Sequence, residues 1–290
     1  MSRLLNKGRS KSLLYDAIFK YVALFFTFLG IAILALFLFK IFLQGISSIN
    51  WDFLTSFQSR RPSKAGIYAA WVGSVWIFVL TAAIGLPLGV AAGVYLEEYQ
   101  KKGRLANILE VNISNLAGVP SVIYGLLGAS IFVYLFKFGE SLLAAACTLS
   151  IMILPIIVVS TREALKAVPS SVKQAAYGMG ATKWQVIWTQ VLPSSIGGIM
   201  TGAILALSRI IGETAPLILV GAAASVRFLP SSPMEEFTVL PMQIYDWSTR
   251  PQAGFQEKAA AAIIILLVIT FLLNGVAIYL RNKWQKKIKW

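Results

Sequence analysis

The chain has 290 residues, 57% of them hydrophobic and only 13% charged, a make-up that excludes an ordinary soluble domain. Its net charge of +14 comes from basic residues split among long apolar runs, which argues against a continuous nucleic-acid-binding surface. One cysteine, Cys147, and no histidine exclude an internal disulfide, a Cys-based metal site and a histidine general base.

Five runs carry no charge: Tyr21–Phe39, Ile67–Leu96, Val111–Phe136, Ser141–Thr161 and Ala259–Leu280. A sixth, Ser194–Val226, is broken only by Arg209 and Glu213. Each exceeds the roughly 18 residues that mark a membrane-spanning helix. The predicted fold is therefore all-α and polytopic, with six spans and both termini on one side. If that side is the cytoplasm, the inside segments carry Arg3, Lys7, Arg9, Lys11 and Lys20; Lys101, Lys102 and Arg104; Arg162, Lys166, Lys173 and Lys183; and Arg281, Lys283, Lys286, Lys287 and Lys289. The outside holds fewer: Arg60, Arg61, Lys64, Lys137, Arg227, Arg250 and Lys258. This bias favours cytoplasmic termini, and anionic membrane lipid is partner enough for the basic tails.

The basic opening stretch followed by an apolar run resembles a secretory signal. The run is longer than a signal core and no small-x-small cleavage site follows, so we read an uncleaved first span over about 20–44. Trp51 and Phe53, in the outside segment that follows, are placed as interfacial anchors. In the second span Gly85, Gly89 and Gly93 share one helix face and allow another helix close. That face serves simple packing or a contact that slides during transport. Pro87 among them predicts a kink. The third segment, about 107–136, mixes Asn107, Asn112 and Asn115 with Gly118-Val119-Pro120. Two readings fit: a bent helix lining a cavity, or a helix that starts late, near Pro120.

The polar interruption at about 161–193 carries its own helix punctuation. Pro169 starts a short helix, Ser171 and Gln174 fit a capping box, and Gly178 and Gly180 can end it. Thr182 and Gln185 form a second capping box. Trp184, Ile187, Trp188 and Val191 then share one apolar face, and Pro193 closes the unit. The pattern predicts a knob of helix, Gly corner and helix, its apolar face on the bilayer or under the protein's own spans.

In the fifth span Arg209 lies 16 residues after Pro193, about 24 Å along a helix, in the middle or outer half of the membrane. An arginine there costs on the order of 2.5–3.5 kcal/mol. Glu213, one turn on, can offset it. The pair is either a buried ion pair that fixes helix register or a pathway site, where a guanidinium offers paired donors to an oxyanion. Ser208 and Thr214 could add hydroxyls, and Gly212 and Pro216 allow a bend. The outside loop, about 225–258, is long enough to predict ordered structure, such as a short helix on the membrane.

Two stretches resemble a known family. Gln174-Ala175-Ala176, Gly180 and Leu192-Pro193 match the spacing of the loop by which permease subunits of ATP-binding-cassette importers dock on their ATPase. The family commonly has Glu where this chain has Gln174, and Ile where it has Gln190. Ala206–Leu217, with Tyr245-Asp246-Trp247, resembles the PstA family of phosphate-uptake permeases. The resemblance covers roughly 65–282. It implies the type I ABC importer permease fold in a prokaryotic inner membrane. Residues 1–64 would form the N-terminal tail, first span and outside segment, 65–282 the importer domain and 283–290 a basic tail. It also implies a second homologous permease subunit, two ATP-binding-cassette ATPases, an extracytoplasmic phosphate-binding protein facing the 225–258 loop, and no cofactor. Gln174, Ala175, Ala176, Gly180, Thr182, Leu192 and Pro193 would form the docking loop. The residues agree with a non-enzyme, since no G-x-x-x-x-G-K-[ST] loop is present and any ATP hydrolysis would fall to another chain. Other oxyanions, sulfate or molybdate, remain alternatives, as does an ATPase-independent transporter or channel.

Overall fold

The computed structural model describes residues 2–100 and 103–285. Lys101, Lys102, Lys286, Lys287 and Lys289, counted above among the inside cations, lie outside the described residues. Among the described residues the fold is all-α and contains no strand. Five helices among these residues are long and apolar enough to cross a membrane, and there are six if the bent pair Asn107–Leu116 and Ser121–Leu135 counts as one span.

The first span is a single helix, α1 (Ser2–Gly45), whose membrane-length part is exposed almost throughout and meets the rest of the chain near Ile41 and Gly45. A short helix, α2 (Trp51–Thr55), follows, capped by the Asn50 side chain. The second span, α3 (Tyr68–Val94), runs unbroken through Pro87 and ends in a π-turn over Tyr95–Tyr99. At the third segment the chain makes α4 (Arg104–Leu116), a four-residue break, then α5 (Ser121–Gly128), which continues as a π-helix to Leu135. The two parts meet at 102°. The segment is thus sharply bent, and its second helix starts just after Pro120. Pro120 lacks an N–H and restricts Val119 before it, and Tyr124 Oη pins the corner by donating to Leu116 O at 2.7 Å.

At the centre stands α6 (Leu142–Lys166), with Leu149, Ile153 and Ile157 fully buried. Its two flanks are faced by glycines. A Cβ on Gly89 of α3 would fall 2.6 Å from Ile157 Cγ2. On the other flank a Cβ on Gly202 of α9 (Leu192–Ile211) would fall 1.9 Å from Ser160 Oγ. Three helices thus pack at backbone distance, which in lipid replaces the hydrophobic drive that water would supply. Gly85 and Gly93 stack one turn either side of Gly89, against Ile153 and Thr161.

After α6 come α7 (Ser170–Gly178) and α8 (Lys183–Val186). α8 passes through a π-turn, Ile187–Val191, directly into α9, so that Lys183–Ile211 is one helix. Pro193 therefore does not close the unit. It lies in the first turn of α9, and the π-turn just before it absorbs the missing N–H. The fifth apolar stretch is broken at Gly212–Thr214 and resumes as α10 (Ala215–Leu219), with Pro216 in its first turn.

The outside loop holds α11 (Leu240–Ser248), and the last span is α12 (Ala253–Gln285). α11 is not a surface helix. Leu240, Gln243 and Trp247 are buried, and Gln243 Nε2 donates to Gly66 O at 3.0 Å. Phe53 and Phe255 flank Trp247 at centroid distances of 6.2 and 6.1 Å. Phe53 is thus a core residue rather than an interfacial anchor, while Trp51 is 76% exposed.

Candidate functional site

The knob is built by local code and then clamped from a distance. α7 begins after Pro169, whose extended backbone forms the N-cap without any side-chain cap. Ser171 lies two positions past the N-cap, so the Ser171–Gln174 box does not form. The C-terminal end is a Schellman motif. Ala181 N donates to Ala176 O at 3.2 Å, Gly180 N donates to Tyr177 O at 2.9 Å, and Gly180 takes φ +83°. Ala176 and Ala181 belong to one apolar cluster beneath the corner. The Thr182–Gln185 capping box is complete: Gln185 N donates to Thr182 Oγ1 at 3.4 Å, and Thr182 N donates to Gln185 Oε1 at 2.8 Å.

Leu165, Val168, Ala176, Val186 and Val191 form the knob's own core, with Val94 of α3 packed against it. Polar contacts to the end of α3 add to this. Arg162 Nε donates to Glu97 Oε2 at 3.3 Å, and its Nη2 meets Glu110 Oε2 of α4 at 3.1 Å. Lys173 pairs with Glu98, and Lys183 lies 4.9 Å over the Tyr99 ring. Lys173 and Lys183 therefore tie the knob to the turn after α3, and Arg162 of α6 ties that same turn and α4 to α6. The sequence shows these residues only as a charged turn and scattered cations, because their partners lie 65 and 75 positions apart for Arg162–Glu97 and Lys173–Glu98.

The docking-loop residues divide by exposure. Gln174, Ala175, Gly180 and Thr182 face out, with Tyr177 and Met179 beside them; Met179 is 82% exposed. Ala176 is buried, and Leu192 and Pro193 are partly buried in the continuous helix. The predicted apolar face is split. Ile187 and Val191 are buried, whereas Trp184 and Trp188 stand exposed, edge to face with centroids 5.2 Å apart. They border a groove of about 430 Å³ lined also by Pro87, Val94, Tyr95 and Tyr99.

The second group sits at the far end of the same helix. Arg209 Nε lies 3.5 Å from Glu213 Oε1 across the α9 end, with side-chain exposures of 40% and 18%. Thr201, Leu205 and Arg209 form an exposed stripe of α9, whereas Ala203, Ala206, Leu207 and Ile210 are buried. Ser208 does not join the pair. Its hydroxyl lies within donating distance of two acceptors, Ile204 O at 2.6 Å and Asn274 Oδ1 of α12 at 2.7 Å. Thr214 occupies the break before α10 and makes no side-chain cap. Gly202 abuts Ser160, two residues before the Arg162 ion network, and Arg209 lies about 10 Å further along α9, away from that network. The arrangement offers a guanidinium and a carboxylate, donor and acceptor, on an open helix face.

A family model described as binding-protein-dependent transport system inner membrane component matches residues 85–286. The probable ABC transporter permease protein YqgI of Bacillus subtilis (strain 168) is 30% identical over 262 residues, which cover 86% of this chain and 88% of the relative. The phosphate transport system permease protein PstA of Haemophilus influenzae is 33% identical over 259 residues, 89% and 90% of the two chains. PstA 1 of Mycobacterium tuberculosis (strain CDC 1551 / Oshkosh) is 34% identical over 210 residues, 70% and 67%. Among solved structures, a bacterial ABC transporter that imports the acidic polysaccharide alginate shares the fold. Its TM-score is 0.62 at 18% identity, covering 97% of this chain and 99% of that one. The inward-facing MetNI methionine ABC transporter gives 0.58 at 16% identity, covering 73% and 93%. The chain therefore belongs to the binding-protein-dependent transport system inner membrane component family, as a multi-pass permease subunit with the type I ABC importer fold and not an enzyme.

Proposed function

We propose that the chain is the permease subunit of an ATP-driven importer that moves inorganic phosphate across the cell membrane by alternating access. The observation that carries the reading is the Arg209–Glu213 pair at membrane depth on the exposed stripe of α9. Its guanidinium can donate to phosphate oxygens, and its carboxylate can accept from a protonated phosphate. Until the anion arrives, Glu213 neutralises Arg209. The PstA relatives support phosphate over sulfate or molybdate.

In this reading both termini are cytoplasmic, residues 65–282 form the transport domain, and 161–193 is the docking loop. A second homologous permease faces the α9 stripe, two ATPases bind beneath, and a phosphate-binding protein docks outside on the 225–258 loop. Closure of the ATPases moves the knob through Gln174, Ala175, Gly180 and Thr182. The clamp to the turn after α3, itself held to α6 by Arg162, makes that motion a rigid-body one. Because α8 and α9 are one helix, displacement at Trp184 reaches Arg209, about 38 Å away, without a hinge except the π-turn and Pro193. The experiment is uptake of radiolabelled phosphate by cells expressing the full transporter, with unlabelled phosphate, sulfate or molybdate as competitor. Only phosphate should compete. Equal competition by sulfate would reject phosphate as the substrate.

A further inference from the structure

Three of the outside arginines converge on one pocket. It is lined by Gln58, Ser59, Arg60, Ser225, Arg227 and Arg250 and has a volume of about 220 Å³, ample for a single tetrahedral oxyanion. Its walls come from three separate stretches: the segment before α3, the loop after α10 and the end of α11. Arg250 is fixed in place. Its Nη2 donates to Asp246 Oδ2 at 2.7 Å, and its guanidinium lies 4.5 Å over the Phe255 ring. Arg60 and Arg227 have no hydrogen-bond or ion-pair partner for their side chains among the described residues. Three guanidiniums against one carboxylate leave the pocket positive.

Gln58 is the second observation. It is only 7% exposed, and its Nε2 donates to Asp246 Oδ2 at 3.0 Å. A carboxylate only accepts, so the amide nitrogen must face Asp246 and the carbonyl must face away. Gln58 Oε1 is then a buried acceptor with no donor, an arrangement native structures seldom leave unsatisfied. Surplus positive charge thus lines the pocket, and one of its lining residues carries a buried acceptor that wants a proton donor.

We propose that this pocket is an outward-facing binding site for hydrogen phosphate. Arg60, Arg227 and Arg250 donate to its charged oxygens, and its P–O–H donates to Gln58 Oε1. Sulfate is fully ionised at neutral pH and supplies no such proton, so it leaves Oε1 unsatisfied. Acidic side chains of a docking protein would meet the arginines but likewise bring no donor. The site rests on the phosphate reading above but shares no residue with the α9 pair.

The test is equilibrium binding of radiolabelled orthophosphate to the full transporter in nanodiscs without the binding protein, with sulfate as competitor. An Arg209→Gln background keeps the α9 pair out of the measurement. The complex should bind phosphate, and Arg60→Gln with Arg227→Gln should weaken that binding roughly tenfold or more. Gln58→Leu should keep anion binding but let sulfate compete as well as phosphate. Phosphate binding unchanged in the Arg60→Gln/Arg227→Gln protein overturns the site. So does sulfate competing equally against the Gln58 protein. If the Arg60→Gln/Arg227→Gln protein keeps phosphate binding but fails, in a separate pull-down, to dock the binding protein, the pocket is a protein-docking surface instead. Failure of the function itself looks different: Arg209-intact transporter with its binding protein would show no ATP-driven phosphate uptake at all.

Discussion

Replacing Gly180 by valine separates the backbone of the knob's corner from its packing. Gly180 takes φ +83°, and a Cβ there would meet nothing within 4 Å. The cost is therefore conformational alone, about 1–2 kcal/mol for a side chain in the left-handed region. That is a roughly 5–30-fold loss in the native corner relative to its alternatives, and the Schellman bonds from Ala181 and Gly180 go with it. Gly178 supplies the control. It too has open space for a Cβ, but it lies inside α7 without a positive φ, so Gly178→Ala should be neutral or slightly stabilising. The assay is co-purification of the ATPase subunits with tagged permease over a dilution series. Gly180→Val should lose ATPase by up to that factor while Gly178→Ala retains it. Equal retention by both proteins, or equal loss, would refute the corner as the element that shapes docking.

Gly89→Val places a branched side chain where a Cβ already falls 2.6 Å from Ile157 Cγ2. Overpacking should cost about 1–3 kcal/mol, read as a lower melting temperature of the detergent-solubilised protein; an unchanged melt would mean α3 and α6 do not pack as described. Arg162→Met leaves Glu97 and Glu110 without their shared cation. Because these groups are partly exposed the expected loss is small, and it should appear as faster hydrogen exchange in α4 and α7. Exchange confined to wild-type rates would show that the clamp does not hold the knob.

The spans were legible because bilayer-length apolar runs have few alternatives, and the Gly85, Gly89, Gly93 face announced its close helix contact. The Gly180 corner and the Thr182 box were legible for a different reason: both are made by residues within five positions of each other. What hydropathy could not tell apart was lipid from protein interior. Phe53, read as an interfacial anchor, is buried with Trp247 under the outer loops, and of the knob's apolar face Trp184 and Trp188 are exposed. Pro193 looked like a stop because the preceding π-turn, which makes room for it, has no signature in residue type. The clamp and the Gln58 pocket were beyond reach of spacing, since Glu97, Arg162 and Lys173, or Gln58, Arg227 and Arg250, meet only after the helices have packed. Arg209 and Glu213 were readable as a pair from their one-turn spacing, but the assignment of Ser208 to Asn274 required α12.

The most direct measurement is ATP-driven uptake of labelled phosphate into proteoliposomes containing the assembled transporter, comparing wild type with Arg209→Gln. The account predicts that the variant assembles with its ATPases and still hydrolyses ATP, yet loses most of its phosphate uptake. Uptake at the wild-type rate would contradict it, and would leave Arg209 and Glu213 as an ion pair that only sets the register of α9.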